Sequence, residues 1–445
     1  MTRPALIAVI GLMLVAPAAG GPKGDGGQRR PFVSGELVVG FKDAVSAAEQ
    51  QRMLARFSGK VQKRFGRIDG VLASMPTARM DAARRALSRD PRVEYAEPNY
   101  VLRADVVPGD PSFDELWGLQ KIDAPEAWDV TTGDSGVVVG VIDSGVDYSH
   151  PDLAGQIWTN PGEDCAGCRS NGLDDDGNGY IDDWHGWDFA ANDNDPMDDN
   201  GHGTHVAGTI GAQQDTRGIV GVAWRLRIMP LKFIGANGKG TVADAVRAIL
   251  YAASMGADVT NNSYGGDAFS QALLDAIETA DGADSLFVAA AGNSLSDNDT
   301  DPMYPASYDA PNVVSVAASD QFDSRAWFSN YGDSSVDLAA PGVNILSTWP
   351  GGSYHASDGT SMASPHVAGA AALAKAAFPA ASDLGLKALL LRGVDGISGL
   401  SNAVRTSGRL NANNAVRCSD RAQVWIESPA AGFEALSGEP LPIGV

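Results

Sequence analysis

From about residue 110 onward, short runs of apolar residues alternate with stretches of helical composition. The apolar runs are continuous and have the length of strands, about four to eight residues. Such strands are typical of a parallel sheet that is covered on both faces by the helices that connect them. The pattern therefore predicts an α/β fold with a doubly wound, mostly parallel sheet. The predicted strands are residues 137–143, 226–234, 257–261, 286–291 and 313–317, and residues 242–255 are one of the predicted helices.

Ahead of this region, strand and helix signals alternate in shorter segments. This order predicts a small α+β module with its helices on one face of a sheet. The predicted strands are residues 36–41, 71–75 and 93–102, and the predicted helices are residues 46–57 and 78–87.

The two ends of the chain lack this pattern. Residues 1–20 combine Arg3 with an apolar run and small residues, which predicts a secretory signal peptide, with an anchor helix as the alternative. No other stretch approaches the ~18 apolar residues that a membrane span requires. Residues 21–27 are rich in Gly and are interpreted as a linker. Residues 417–445 are a tail that resembles the first strands of an immunoglobulin-like module, either an added edge strand or a truncated appendage.

Charge is distributed unevenly along the 445 residues. Residues 1–104 carry 17 Lys and Arg against 9 Asp and Glu, a net charge of +8, whereas the whole chain has 33 against 55, a net charge of −22. The remainder of the chain therefore carries −30. This balance excludes a nucleic-acid role, which requires basic patches, and suits an extracellular enzyme that binds cations.

A serine near the start of a predicted helix is the first candidate for chemistry. Residues 359–369 open with Gly359 and lead into an Ala-rich run that ends at about Phe378. Ser361 should therefore lie in the first helical turn, where unpaired N–H groups stabilise negative charge and so favour an oxyanion. The alternative is that Ser361 only caps the helix.

Two further segments favour the catalytic interpretation. Asp143 ends a buried strand, and the carboxyl ends of parallel strands are where open α/β sheets place their active sites. His202 lies beside glycines at the start of another small-residue helix. Asp, His and Ser in this chain order match one known order of a Ser-His-Asp triad.

The three segments resemble the signature blocks of the subtilisin-like serine proteases, the subtilases, and the resemblance extends over residues 110–416. It implies that Ser361 is the nucleophile, His202 the general base and Asp143 the group that orients the imidazole. The family's catalytic histidine is the first of a His-Gly-Thr-His pair. His205 and His366 are therefore interpreted as packed structural histidines.

The resemblance also implies an oxyanion hole and a substrate pocket. The side chain of Asn293 and the N–H of Ser361 would stabilise the oxyanion. Residues 262–266 are similar to the family's edge segment, which pairs with an extended substrate. The implied pocket residues are Ser263, Tyr264, Gly265, Ala290, Ala291 and Gly292. The loop 296–302 adds Asp297, Asp299 and Asp301, for which solvation, calcium binding and a preference for basic substrates stay open.

The N-terminal module resembles the inhibitory, ferredoxin-like pro-domain of this family. On this interpretation residues 21–104 are the pro-domain, residues 105–416 are the peptidase domain, and self-cleavage falls between about Leu102 and Asp110. An ordinary N-terminal domain is the alternative. The basic charge of the module favours an inhibitor, because an acidic partner would hold it until it is cut.

Three acidic groups are candidate calcium sites. The first follows the spacing of an EF-hand-like loop but has His185 where the bidentate Glu would stand, so a merely acidic insertion is the alternative. The second resembles a site of thermitase-like subtilases in part, and the third occupies the positions of the family's strong calcium site. The groups are Asp174, Asp176, Asn178 and Asp182; Asp188, Asp193, Asp195 and Asp198; and Asp110, Asp152 and Asp215.

Cysteine usage adds little. Cys165 and Cys168 could close a small disulfide in a secreted chain, and a zinc or redox site is disfavoured because no second pair completes four ligands. Cys418 stands alone.

These observations predict a secreted, calcium-dependent serine endopeptidase that is made as a self-processing zymogen and acts as a monomer on protein and peptide substrates. A catalytically silent, calcium-stabilised binding module of the same fold is one rival. An esterase is the other, but Ala363 stands where the second glycine of its Gly-x-Ser-x-Gly motif would be.

Overall fold

The computed structural model describes residues 32–42, 45–66, 68–100 and 108–417. They fall into two compact units, one within residues 1–104 and one within residues 105–445. The predicted signal peptide and linker, most of the predicted cleavage segment, Cys418 and nearly all of the predicted tail lie outside the described residues.

The N-terminal unit has the element order βαββαβ. Its four strands form an antiparallel sheet in the order β2-β3-β1-β4, which is the ferredoxin-like arrangement that the sequence predicted. The core lies between this sheet and two helices, and includes Leu37, Leu54 and Leu87. The elements are β1 (Phe32–Phe41), α1 (Ala47–Ala55), β2 (Lys60–Phe65), β3 (Gly70–Ser74), α2 (Thr77–Leu87) and β4 (Val93–Tyr100).

Strand β2 is the element of this unit that the sequence failed to predict. It lies at the edge of the sheet, and most of its side chains, including Lys60, Lys63 and Arg64, are exposed. A strand that buries almost nothing has no apolar alternation, so the hydrophobic pattern could not reveal it.

The second unit is built on a nine-stranded sheet in the order β14-β15-β11-β10-β9-β8-β5-β7-β6. Every strand pair in it is parallel except β14 with β15, which confirms the predicted fold class. The strands are β5 (Gly133–Asp143), β6 (Trp187–Asp188), β7 (Arg225–Lys232), β8 (Val259–Asn262), β9 (Leu286–Ala290), β10 (Val313–Ser319), β11 (Leu338–Pro341), β14 (Asp395–Gly396) and β15 (Gly408–Arg409). A separate hairpin consists of β12 (Ile345–Trp349) and β13 (Ser353–Ser357).

Helices cover both faces of this sheet. In β5, Val141 belongs to the apolar cluster that contains α5, α8, α9 and α10, whereas its neighbour Ile142 belongs to the cluster that contains α6 and α7. Successive side chains of a strand point to opposite faces, so the sheet lies between two helical layers. The helices are α3 (Trp117–Lys121), α4 (Ala124–Trp128), α5 (His202–Gly211), α6 (Val242–Ser254), α7 (Gln271–Gly282), α8 (Thr360–Ala377), α9 (Asp383–Gly393) and α10 (Ala412–Arg417).

Helix α8 passes through the centre of the unit. Most of its residues are buried, and small side chains on every side let its neighbours approach closely. A helix that is apolar all round is a core helix. Among the described residues, no helix combines the length and hydrophobicity that crossing a membrane would require.

Candidate active site

The candidate site lies at the carboxyl edge of the nine-stranded sheet. Strand β5 has β7 on one side and β8 on the other, so the chain leaves β5 in one direction and later returns on the opposite side. A crevice opens outside the strand ends at such a switch point. Asp143 ends β5, and Ser263 follows β8.

Asp143 and His202 form the polar contact at the centre of this crevice. The Asp143 side chain is fully buried, and its Oδ1 lies 2.7 Å from Nδ1 of His202. The same oxygen accepts a hydrogen bond from the backbone N–H of Ser144 at 2.7 Å. These contacts fix the orientation of the imidazole and place the proton of a neutral ring on Nδ1.

A glycine makes this contact possible. A Cβ on Gly203 would lie 2.1 Å from the backbone oxygen of Gly145 and 3.1 Å from Cβ of Asp143. Only a residue without a side chain lets the start of α5 come this close to the end of β5. The glycine of the His-Gly-Thr-His sequence therefore sets the distance between the aspartate and the histidine.

The pKa of His202 reflects two opposing effects. Burial disfavours the charged imidazolium, but the negative charge and hydrogen bond of Asp143, together with the charge of Asp198, outweigh it and raise the pKa. The side chain is 31% exposed, which leaves one side of the ring open to the crevice.

Ser361 lies in the first turn of α8, as predicted. Its hydroxyl donates a hydrogen bond to the backbone oxygen of Ser263 at 3.2 Å, and the Ser263 hydroxyl donates to the backbone oxygen of Ser361 at 3.0 Å. Ser364, one turn along the helix, donates to Asn261 at 2.8 Å. These contacts fasten the start of α8 to the end of β8.

Asn293 lies next to the same helix start. Its Oδ1 accepts hydrogen bonds from the N–H and the hydroxyl of Thr360, at 2.9 and 3.0 Å. The amide group is therefore oriented with Nδ2 as its remaining donor. A Cβ built on Gly359 would lie 3.6 Å from Nδ2 of Asn293 and 3.5 Å from the backbone nitrogen of Ser361. Nδ2 of Asn293 and the backbone nitrogen of Ser361 therefore both lie beside Gly359.

The other two histidines of the motifs have structural contacts. Nε2 of His205 bonds the backbone oxygens of Ile345 and His355, and Nδ1 of His366 bonds that of Met362. Both rings are buried, and burial lowers the pKa of each to about 4. They therefore stay neutral at neutral pH.

A cleft of about 400 Å³ lies beside the edge segment, and the predicted pocket residues Tyr264 and Gly265 line it. Phe233 packs edge-on against Tyr264, with 4.6 Å between the ring centres. Ser263, Ala290 and Ala291 are buried, and Gly292 is half-buried.

Met303 contacts both segments that were predicted to wall the pocket, and sequence reasoning missed it. A Cβ on Gly265 would lie 3.2 Å from Sδ of Met303, and a Cβ on Gly292 would lie 3.1 Å from its Cε. Its side chain therefore bridges the two predicted walls. Met303 belongs to an irregular loop with no hydrophobic period, so no sequence signal pointed to it.

Two asparagines hold the loop that carries Asn293, and these were missed as well. Asn298 is buried and donates to the backbone oxygen of Ala291 at 2.9 Å. Asn330 donates to Asn298 and accepts from the N–H groups of Ser294 and Ser296. In the same loop, the carboxylate of Asp299 accepts hydrogen bonds from the N–H groups of residues 334 and 335. The carboxylate of Asp301 accepts one from the hydroxyl of Ser296.

Two members of the predicted group Asp110, Asp152 and Asp215 have the character of cation ligands, whereas Asp215 forms an ion pair with Arg217 at 3.0 Å. Asp110 and Asp152 are buried, and one oxygen of each, Oδ2 and Oδ1 respectively, has no hydrogen-bond partner among the described residues. Burial raises the pKa of Asp110, and the charges of Asp215 and Asp152 raise it further. Uncompensated buried carboxylates of this kind fit a hard divalent cation.

The predicted group around Asp188 is less uniform. Asp188, Asp193 and Asp195 lie in one turn in which their side chains accept from nearby N–H groups. Asp198 differs, since its two oxygens accept five hydrogen bonds from Ser144, Thr204 and the N–H groups at the start of α5. These bonds argue against the predicted metal role of Asp198 and give it the role of fixing the helix start.

The predicted EF-hand-like loop does not gather its four residues around one point. Asp174 accepts from the N–H groups of residues 177, 178 and 179, and Asp182 accepts from those of residues 171 and 172. Their oxygens thus serve the turns of the insertion. Cys165 and Cys168, which precede this loop, are joined in a disulfide.

Comparison with known proteins agrees with this geometry. A model of the subtilase family matches residues 134–417, and a model of the fervidolysin N-terminal prodomain matches residues 23–99. A thermophilic serine proteinase of Bacillus sp. (strain AK1) is 39% identical over 391 residues, which cover 87% of this chain and 89% of that protein. Thermitase of Thermoactinomyces vulgaris is 39% identical over 312 residues, which cover 70% of this chain and 99% of thermitase. A solved protease structure from Pseudoalteromonas arctica PAMC 21717 has a TM-score of 0.59 at 31% identity, covering 70% of this chain and 99% of that one.

Proposed function

The chain belongs to the subtilase family of serine endopeptidases and carries a prodomain, as a zymogen does, and we propose that Asp143, His202 and Ser361 are its catalytic triad. The observation that carries this assignment is the 2.7 Å contact of Asp143 with His202 at the switch point of the sheet. Ser361 in the first turn of α8 supports it.

The first step is attack by Ser361 on the carbonyl carbon of the scissile peptide. The hydroxyl rotates from the backbone oxygen of Ser263 toward Nε2 of His202, which accepts its proton as the new C–O bond forms. Asp143 stabilises the imidazolium that results. The same histidine then gives its proton to the leaving amine. In the second half of the reaction His202 takes a proton from water, which attacks the acyl-enzyme, and returns that proton to Ser361 as the acyl group leaves.

The oxyanion of the tetrahedral intermediate occupies the space between Nδ2 of Asn293 and the backbone N–H of Ser361. A donor of this kind lowers the barrier by about 3 kcal/mol, a magnitude established in a subtilisin. Because Thr360 holds Oδ1 of Asn293, the donor is already oriented before substrate arrives.

The substrate lies extended along the edge segment Ser263 to Gly265, where it adds a strand. The side chain before the scissile bond enters between this segment and residues 290–292. Met303 contacts both walls, so this pocket prefers apolar side chains of moderate size.

The N-terminal unit acts as the intramolecular inhibitor until the chain cuts itself between about residues 102 and 110. Residues 1–104 carry +8 against −30 for the remainder, which favours this association. The pattern of residues 1–20 and the disulfide of Cys165 with Cys168 support secretion, since disulfides persist in oxidising compartments. The mature enzyme acts as a monomer.

Calcium would be held by Asp110, Asp152 and Asp215, with Asp188, Asp193 and Asp195 as a further group. At the first group the ion would neutralise buried carboxylates and tie the start of the mature unit to the loop that follows α5. Asp215 already donates its N–H to Asp110 at 3.0 Å. A ligand that binds only the folded state stabilises it.

The test is expression of the full chain beside Ser361→Ala. The parent is expected to release its N-terminal unit and to hydrolyse a denatured protein, and the variant to do neither. Equal processing by the variant, or no cleavage by the parent, would overturn the triad assignment.

A further inference from the structure

The insertion between residues 160 and 186 contains three carboxylates that the proposed mechanism does not use. They belong to Glu163, Asp176 and Asp183, and one oxygen from each lies within 4.8 Å of those from the other two. Glu163 and Asp183 are fully buried, whereas Asp176 is exposed at the rim. Glu163 and Asp183 are not among the four residues that the EF-hand-like spacing predicted as ligands.

Glu163 is the member whose environment requires an explanation. Its Oε1 accepts from the N–H of Asp175 at 2.9 Å, but its buried Oε2 has no hydrogen-bond partner among the described residues. Burial raises the pKa of Glu163, and the charges of Asp183, Asp175 and Asp176 raise it further. A buried carboxylate without a donor on one oxygen is costly unless a positive charge compensates it.

The neighbours of the cluster supply no such charge. Asp183 accepts from the amide of Asn178 at 2.9 Å and from the hydroxyl of Tyr251 at 2.5 Å, and both are neutral donors. The ion pairs formed by the described residues do not include any of the three acids, and Arg169 of the same insertion pairs with Asp164 instead.

The cluster is also held in place. The amide of Asn160 donates to Asp176 at 2.9 Å and to Asp183 at 2.8 Å, which fixes the two carboxylates relative to each other. A Cβ on Gly162 would lie 2.3 Å from Cβ of Asp176 and 2.6 Å from its Oδ2. The segment before Glu163 therefore packs against Asp176 as closely as a glycine permits.

We propose that Glu163, Asp176 and Asp183 bind one Ca²⁺ ion. The ligand atoms are all hard carboxylate oxygens, which suit calcium or magnesium and not the softer metals. Calcium binds oxygen at about 2.3–2.6 Å, so two ligands of one ion lie up to about 5 Å apart, whereas magnesium limits them to about 4.2 Å. The three oxygens lie within 4.8 Å of one another, a spacing that one calcium ion can span.

The position of this site defines what the ion does. Glu163 and Asp183 come from opposite ends of the insertion, and Asp183 is bonded to Tyr251 of α6. The N–H of Asn160 also bonds the backbone oxygen of Trp184 at 2.8 Å. An ion here closes the insertion on itself and fastens it to the helical layer that contains α6.

The experiment measures calcium stoichiometry in the full chain carrying Ser361→Ala, which prevents self-digestion. Glu163→Gln and Asp183→Asn are each compared with the matched control Asp175→Asn, which removes one exposed acid from the same loop. Calorimetric titration with Ca²⁺ is expected to show one ion fewer per chain in the first two variants and no loss in the control. Terbium emission excited through Tyr251 and Trp184 should fall in the same two variants. Unchanged stoichiometry and emission in both would overturn the proposal.

A measurement on the parent avoids dependence on variant folding. Crystals grown with Tb³⁺ are expected to show an anomalous peak about 2.5 Å from oxygens of Glu163, Asp176 and Asp183. A saturated crystal with no peak among these three residues, or with a peak between Asp174 and Asp182 instead, would refute the site.

Discussion

Thr360→Val tests whether Asn293 is oriented before substrate binds. The change keeps the shape of the side chain and removes one hydroxyl. That hydroxyl donates to Oδ1 of Asn293 at 3.0 Å and accepts from the N–H of Gly292 at 3.1 Å. The backbone bond from Thr360 to Asn293, at 2.9 Å, remains.

The magnitude follows from these bonds. One hydrogen bond contributes a net ~0.5–1.5 kcal/mol, so losing one of the two that hold Asn293 should lower kcat by about 2- to 13-fold. KM should hardly change, because the donor acts on charge that develops only in the transition state. The unpaired N–H of half-buried Gly292 should also lower the free energy of unfolding by about 1–2 kcal/mol.

The assay is steady-state hydrolysis of a peptide anilide, with Thr360→Ser as the control that keeps the hydroxyl. In an Asn293→Ala background the valine change should have no further effect on kcat, since the group it orients is gone. Equal losses in the serine and valine variants, or a full additional loss in the double variant, would refute the reasoning.

Four other predictions concern the triad, the pocket and calcium. Since the pKa of His202 is raised above 6.5, kcat/KM should fall as pH drops through a midpoint above 6.5. Asp143→Asn should lower that midpoint and should lower kcat by about 10⁴-fold. A midpoint that does not move in this variant contradicts the contact between Asp143 and His202. The raised pKa of His202 also stabilises the fold below about pH 6.5, and this contribution is lost as pH rises through the raised pKa. The free energy of unfolding, measured by denaturant titration at pH 6 and pH 9, should therefore differ less in Asp143→Asn than in the parent. Met303→Ala should raise kcat/KM for aromatic over alanine side chains before the cut by about 10-fold, measured with paired substrates, and an unchanged ratio would exclude Met303 from the pocket. In the Ser361→Ala chain, a calcium chelator should lower the midpoint of thermal unfolding, because about 2.7 kcal/mol of stability is lost when a ligand present at 100 times its Kd is removed. The drop should be smaller when Asp152→Asn is added. An identical midpoint with and without chelator would rule out a stabilising ion.

The main sheet was predictable because its strands are continuous apolar runs. Asp143 ends a predicted strand and Ser361 lies near the start of a predicted helix, so the place of each in its element could be inferred from the sequence. The sequence did not predict the short strands β6, β11, β14 and β15 or the hairpin of β12 and β13. Each of these four strands has at most four residues, and β13 exposes most of its side chains.

Tertiary contacts account for what the sequence could not predict at the sites. Spacing within one loop suggested Asp174 and Asp182 as ligands, but in the folded insertion their oxygens do not belong to the group formed by Glu163, Asp176 and Asp183. Glu163 joins the cluster from outside that loop, and Met303 meets the pocket from an irregular segment. Neither position carries a period or motif, so only the folded chain brings them into place.

The exposed edge strand β2 has a consequence after processing. The proposed self-cleavage would release a small domain with an open sheet edge, which is a template for edge-to-edge aggregation. Lys60, Lys63 and Arg64 lie on that edge, so two copies that paired through β2 would bring like charges into register. The positive charges on this strand therefore act against fibre growth by the discarded domain.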